Sequence, residues 1–171
     1  ALDTMHFEEC TPIQEKSIGH ILDGRDMIAC AQTGTGKTAA YLLPIISMIN
    51  DGGYPEDAIN CVVMVPTHEL AQQIDRQMEG FSYFVPVTSL AIHGGNDGKE
   101  FARQQRGLKM GADIVIATPG RLLAHMKMGY VDLSKVSFFV LDEADRMLDM
   151  GFSDDILQIA KQLPSERQTL L

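Results

Sequence analysis

Ala31-Gln32-Thr33-Gly34-Thr35-Gly36-Lys37-Thr38 follows an apolar run, Met27 to Ala31, and opens a stretch of helical spacing from Lys37 to Ile49. A strand that breaks into a glycine-rich turn and then a helix lets backbone N–H groups converge on phosphate oxygens. Gly34 and Gly36 allow the close approach, and the helix N-terminus adds the positive end of its dipole. Thr33, Gly34, Thr35, Gly36, Lys37 and Thr38 are therefore candidate nucleotide-phosphate ligands. Lys37 is expected to pair with the β and γ phosphates, and the Thr38 hydroxyl to hold magnesium. The first position is Ala31, where the simplest form of the pattern has glycine.

A second apolar run, Phe138-Phe139-Val140-Leu141, ends in Asp142-Glu143-Ala144-Asp145. If the phosphate loop lies on the neighbouring strand, Asp142 can hold magnesium, through water, while Glu143 positions or deprotonates an attacking water. Acidic residues at a strand end can also be no more than a solvated helix start. The phosphate loop upstream favours the catalytic reading, with Glu143 and Lys37 as the catalytic pair.

Other apolar runs follow the same rhythm: Cys61 to Val65, Val87 to Ile92, Ile114 to Ala117 and Gln168 to Leu171. Most are continuous, which suits strands buried on both faces. Helical spacing fills Glu69 to Phe81, Glu100 to Met110, Gly120 to Met128 and Ser153 to Leu163. This alternation predicts an α/β fold with a mainly parallel sheet sandwiched between helices. Thr11 to Leu22 reads as an extra leading helix with Thr11 as N-cap, Pro12 in its first turn and Gly24 beyond its end. The clearest surface loops are Asp51 to Asp57 and Gly94 to Gly98.

With 171 residues, 45% hydrophobic and 22% charged, the chain is expected to form one well-cored domain. A net charge of −9 argues against a broad basic face, so any nucleic-acid contact must be local. Cys10, Cys30 and Cys61 form no CxxC pair and predict a reduced, intracellular protein. Residues 1–9 do not read as a signal sequence, and no run approaches membrane-spanning length. The expectation is a soluble, cytoplasmic protein without membrane contact. His6, His20, His93 and His125 show no metal-ligand spacing, and Met147 and Met150 are expected to pack in the core.

With these motifs in hand, the chain resembles the first RecA-like P-loop NTPase domain of DEAD-box ATP-dependent RNA helicases over nearly its whole length. Phe7-Glu8-Glu9-Cys10-Thr11-Pro12-Ile13-Gln14 resembles the adenine-reading Q motif. The phosphate loop, Pro66-Thr67-His68-Glu69-Leu70-Ala71, Gly94-Gly95, Thr118-Pro119-Gly120-Arg121 and Asp142 to Asp145 follow in the family's order. The resemblance implies that Gln14 reads the adenine edge, a role for which its amide can donate and accept at once, and that Phe7 stacks on the base. Packing of Phe7 into the core is the alternative. His6 and Cys10 stand where the family has glycine and proline.

The same resemblance implies that Pro66, Thr67, Gly95, Thr118, Pro119, Gly120 and Arg121 hold RNA along its sugar-phosphate backbone, giving affinity without sequence preference. His68 takes a position where the family has arginine. A mostly neutral imidazole cannot replace a fixed, five-donor cation. A weaker grip, or a tighter one at lower pH, is expected, and equal RNA affinity of His68→Arg and the parent from about pH 6 to 8 would remove that expectation.

The chain reads as a monomeric domain from a longer protein, residues 1–171 forming one ATP-binding unit with its Q motif at 7–14. The family's second RecA-like domain supplies arginine fingers, which are worth roughly 10³ to 10⁵ in rate. The chain alone is then expected to bind Mg²⁺ and ATP while hydrolysing ATP very slowly and unwinding nothing. Two other readings stay open: a helicase domain acting on DNA or on double-stranded translocation tracks, and an ATP-dependent RNA clamp or remodelling module without productive unwinding.

Overall fold

The computed structural model describes residues 2, 5, 7–95 and 98–171; His6, just before the expected Q motif, and Asn96-Asp97 of the expected Gly94 to Gly98 loop lie outside them. Among these residues five short strands, β1 (Cys61–Met64), β2 (Ser89–Ile92), β3 (Ile114–Ala117), β4 (Phe138–Leu141) and β5 (Gln168–Leu170), form one sheet in the order β2-β3-β1-β4-β5. Every pairing is parallel. Each of β1, β3 and β4 has a neighbour on both sides and layers above and below, and this is why their sequences are apolar without a break.

Among the described residues seven helices cover the sheet: α1 (Pro12–Leu22), α2 (Lys37–Asp51), α3 (His68–Phe81), α4 (Gly98–Met110), α5 (Pro119–Lys127), α6 (Ala144–Asp149) and α7 (Ser153–Ala160). Alternate strand residues feed two cores. Cys61, Val63, Ile114, Ile116, Phe138 and Val140 pack with Ile21, Leu42, Ile45, Ile74 and Met78 from α1, α2 and α3. Val62, Met64, Val115, Ala117 and Phe139 pack with Leu108, Leu122, Met147, Ile156 and Ile159 from α4 to α7. The expected three-layer sandwich is thus observed. Thr11 is the N-cap of α1, with Pro12 at its first turn.

Three local expectations are corrected. The segment Met27 to Ala31 is not a full strand. It meets β5 through a single parallel bridge, Met27 to Leu170, with flanking backbone bonds from Ala29 N to Leu171 O at 2.8 Å and from Leu171 N to Met27 O at 2.9 Å. It lies at the sheet edge, where Ile28 is 79% exposed, and only one side of its backbone is paired. Gln168 fixes its approach, donating from Nε2 to the carbonyls of Ile21 at 3.1 Å and Arg25 at 2.6 Å. Met150 is 48% exposed, not core, because it caps the six-residue helix α6, whereas Met147 is fully buried. Helix α7 stops at Ala160, short of the expected Leu163.

Candidate functional site

In a parallel sheet all strands end on the same edge, and ligands of open α/β folds bind outside those carboxyl ends. Five of the sequence motifs lie there. Gly94-Gly95 follows β2, Thr118 to Arg121 follows β3, Pro66-Thr67 follows β1, Asp142 to Asp145 follows β4, and the glycine loop follows the segment paired with β5. The strand order therefore groups the first three motifs on one half of the edge and the last two on the other. The glycine loop is not on the strand adjacent to β4, as the sequence reading required, because β5 lies between them. The gap is bridged from above by helix α2.

In the loop, Gly34 and Gly36 have φ of 83° and 84°, a left-handed backbone that residues with a Cβ avoid. Gly36 is the N-cap of α2, and a Cβ there would lie 2.5 Å from Gln14 Nε2, so this position excludes a side chain on two counts. The Thr35 hydroxyl donates to the Gln32 carbonyl at 2.7 Å and pins the turn. Thr33 and Gly34 are exposed, and Lys37 and Thr38 are half-buried at the helix start.

Lys37 reaches a cavity of about 360 Å³ lined also by Ile13, Cys30, Tyr41, Asp142, Glu143 and Asp145. Asp142 is only 9% exposed, and its Oδ2 accepts a 2.9 Å hydrogen bond from the buried Tyr41 hydroxyl. Burial holds the Asp142 carboxyl above its ordinary range, against the pull of the Tyr41 bond and the Lys37 charge. Burial first, then the Asp142 charge, raises the Tyr41 phenol, while a Thr38 hydrogen bond opposes the rise. Tyr41 thus holds one of the two expected magnesium ligands, Asp142, from the helix that carries the other, Thr38. Sequence reasoning missed it, although its place one helical turn after Lys37, on the same face, was a usable signal.

Glu143 adopts φ 55°, ψ 48°, uncommon for a residue with a side chain and characteristic of functional sites. Its carboxylate is engaged by Arg146 Nη1 at 3.2 Å. Gln14 is 3% exposed, with Oε1 accepting from Thr11 N at 3.0 Å and Nε2 donating to Gly36 O at 3.2 Å. The amide expected to read a base thus grips the phosphate loop. Phe7 sits edge-on to Phe81, centroids 5.7 Å apart, and packs on the α1–α3 core, as in the alternative for this ring.

On the other half of the edge, Pro66 is buried and Thr67 caps α3, its hydroxyl oxygen accepting from Leu70 N at 3.3 Å. Gly95 and Gly120 are exposed, Pro119 is buried, and Thr118 is half-buried at the start of α5 with its N–H on Ile92 O at 3.0 Å. The structure brings these segments together. His68 lies 2.8 Å from Glu69 Oε1, its ring 6.0 Å from that of His93. Arg121 does not stand free: its Nε donates to Gln104 Oε1 at 3.0 Å, and its guanidinium lies 4.7 Å from the Phe101 ring centroid. Gln104 escaped the sequence reading because a glutamine in a polar helix carries no local signal. Among the described residues no group of His, Cys, Asp and Glu side chains could hold a metal by itself, and no helix is long and apolar enough to cross a membrane.

The chain is similar to known proteins along its full length. ATP-dependent RNA helicase CshA of Listeria monocytogenes is 47% identical over all of this chain, which spans 32% of that protein. ATP-dependent RNA helicase DeaD of Escherichia coli is 45% identical, with the chain spanning 26% of it. Among solved structures, a DEAD box protein from the hyperthermophile Methanococcus jannaschii superposes with a TM-score of 0.90 at 34% identity, covering 99% of this chain and 45% of that one. A hypothetical ATP-dependent RNA helicase from Sulfolobus tokodaii superposes with a TM-score of 0.85. The fold is therefore RecA-like, and the chain corresponds to about a third or less of its curated relatives' length. The DEAD/DEAH box helicase family model matches residues 11–171, so that motifs, fold and relatives agree: the chain belongs to the DEAD/DEAH box helicase family.

Proposed function

We propose that residues 1–171 are the ATP-binding half of an ATP-dependent RNA helicase, binding Mg²⁺ and ATP on one half of the sheet edge and the RNA backbone on the other. The observation that carries this reading is the strand order, which groups the glycine loop and Asp142-Glu143 apart from Pro66-Thr67, Gly95 and Thr118–Arg121. Relatives named as ATP-dependent RNA helicases support the same activity for the longer protein.

Lys37 would pair with the outer phosphates, and the N–H groups of 33–38 would cradle them. Thr38 and Asp142 would hold magnesium. Their hard oxygen donors suit that ion, and a divalent charge would relieve a buried carboxylate whose charged form is disfavoured. The bound ion supplies charge neutralisation at the phosphates. Glu143 would orient the attacking water once its carboxylate leaves Arg146. Gln14 would read adenine with Phe7 against the base. A second RecA-like domain in the same longer protein would complete catalysis, leaving this monomeric domain nearly inactive alone.

A titration of this chain with ATP and GTP tests the proposal. ATP is expected to bind better than GTP, and Lys37→Ala to abolish the binding. Unchanged ATP binding in Lys37→Ala, or tight GTP binding by the parent, would sink the assignment. If Gln14 reads adenine, Gln14→Ala collapses the preference for ATP; if it only props Gly36, both nucleotides weaken in parallel. Substantial RNA-stimulated turnover by this chain would refute the division of labour.

A further inference from the structure

Gln104 is completely buried in the middle of α4, an otherwise polar helix. Its amide makes three bonds to two other pieces of chain, the loop after β2 and helix α5. Nε2 donates to the His93 carbonyl at 3.1 Å, Oε1 accepts from Arg121 Nε at 3.0 Å, and the same oxygen lies 3.0 Å from His125 Nε2. These partners fix the amide's orientation, since a guanidinium Nε can only donate and a carbonyl can only accept. His125 then carries its proton on Nε2, which leaves Nδ1 to accept from the Tyr130 hydroxyl. The His125 ring also stacks on Phe101, centroids 4.1 Å apart, and Phe101 in turn supports Arg121.

His93 immediately precedes Gly94-Gly95, and Arg121 ends Thr118-Pro119-Gly120-Arg121. One buried amide therefore ties together two of the three segments assigned to the RNA backbone. Arg121 Nη2 is buried with no hydrogen-bond acceptor among the described residues. The guanidinium is anchored by its Nε edge and its face, while donor capacity at the far end is unspent.

We infer that Gln104 is a positioning residue for RNA binding: it holds Arg121 and the Gly95 loop in the mutual arrangement that a sugar-phosphate backbone meets, without touching RNA itself. The inference rests on the RNA-backbone reading given above. A guanidinium freed to sample its rotamers must be ordered again on each binding event, which weakens the contact even though its charge remains. Gln104→Met keeps the length and burial of the side chain and removes all three bonds.

The test measures affinity of this chain for a labelled single-stranded oligouridylate across a potassium chloride series, with the Arg121 Nε–H signal followed by ¹H–¹⁵N NMR. Arg121→Ala should weaken binding about tenfold, as expected for a charge-assisted bond. It should also reduce the slope of log affinity against log salt by about 0.7, the value for one phosphate on a single strand. Gln104→Met should shift the Arg121 Nε–H signal without RNA, lose most of the same affinity and slope, and add nothing to the loss in the double variant. Phe101→Leu, which removes the stacking support and leaves the amide in place, should give a smaller loss that is likewise absent on the Arg121→Ala background; it decides the matter if Gln104→Met does not fold. Parent-like affinity and slope in folded Gln104→Met and in Phe101→Leu, or losses that multiply with Arg121→Ala, overturn the inference. No RNA binding by the parent, or no effect of Arg121→Ala, overturns the RNA-backbone reading instead.

Discussion

Replacing Gly36 by alanine offers a quantitative check on how the leading helix and the phosphate loop support each other. An alanine at φ 84° carries the left-handed backbone cost, about 1–2 kcal/mol. Its Cβ would also sit 2.5 Å from Gln14 Nε2, so the amide must withdraw and give up its 3.2 Å bond to Gly36 O and its 3.0 Å bond from Thr11 N. Two such bonds are worth about 1 kcal/mol each. Gly36→Ala should then cost about 3–4 kcal/mol in the parent. On a Gln14→Ala background the collision is gone, and only the backbone part, about 1–2 kcal/mol, remains. The two substitutions should be less than additive by about 2 kcal/mol, a separation of about 1 M in urea midpoint for a slope of roughly 2 kcal/mol per M. Urea unfolding of the parent, both single variants and the double variant measures this. Additivity to within about 0.5 kcal/mol would show that Gln14 does not brace the loop.

Three further outcomes follow from the site. Tyr41→Phe removes the 2.9 Å bond that favours the charged Asp142, so ATP affinity should fall about tenfold in magnesium and stay unchanged in EDTA; an equal loss in both would refute the link. Burial, with the Arg121 charge adding to it, holds His125 down at about 4, against about 6.5 when unfolded, so the unfolded chain binds more protons between those values. The stability His125 contributes is full above the unfolded value and is lost as pH falls toward the folded one, so the parent's advantage over His125→Phe should shrink from about pH 7 to 5, and a constant difference would refute a neutral buried imidazole. Cys61 is fully buried and its thiol is pushed up by burial, whereas Cys10 and Cys30 are exposed. Iodoacetamide should label the latter two in the native protein, reach Cys61 only in urea, and label Cys30 more slowly with ATP because Cys30 lines the Asp142 cavity; native labelling of Cys61 at the rate of Cys30 would contradict the burial.

The sequence was legible where local pattern and tertiary environment coincide. The unbroken apolar runs at Cys61, Ile114 and Phe138 became strands because each is walled in on all sides. The edge run at Met27 read the same way, yet it has one partner, and Ile28 points to solvent. Helix α6 was missed because its six residues begin inside the acidic motif and are too few to show a period. The glycine loop and acidic tetrad were readable because phosphate and magnesium chemistry requires those residue types at fixed spacing. Tyr41 to Asp142 and Gln104 to Arg121 are contacts across 101 and 17 positions, and beyond the place of Tyr41 one turn after Lys37 nothing local in the chain marks them. The direction in which Gln14 points was likewise a tertiary outcome, since the same amide suits a base edge and a loop carbonyl.

Strands β1 and β4 run in register from Cys61 opposite Phe138 to Met64 opposite Leu141, and Asp142 N donates to Met64 O at 3.0 Å. Two residues beyond Met64 lies Pro66. In mechanical terms the magnesium-side carboxylate and the Pro66-Thr67 turn are rivets on adjacent rows of one stiff plate. Neither anchor can slide past the other without tearing the ladder between them. Motion linking the two halves of the edge must therefore come from side chains, from the glycine loop, or from the plate tilting as one body, and the sheet acts as a ruler that keeps their separation fixed.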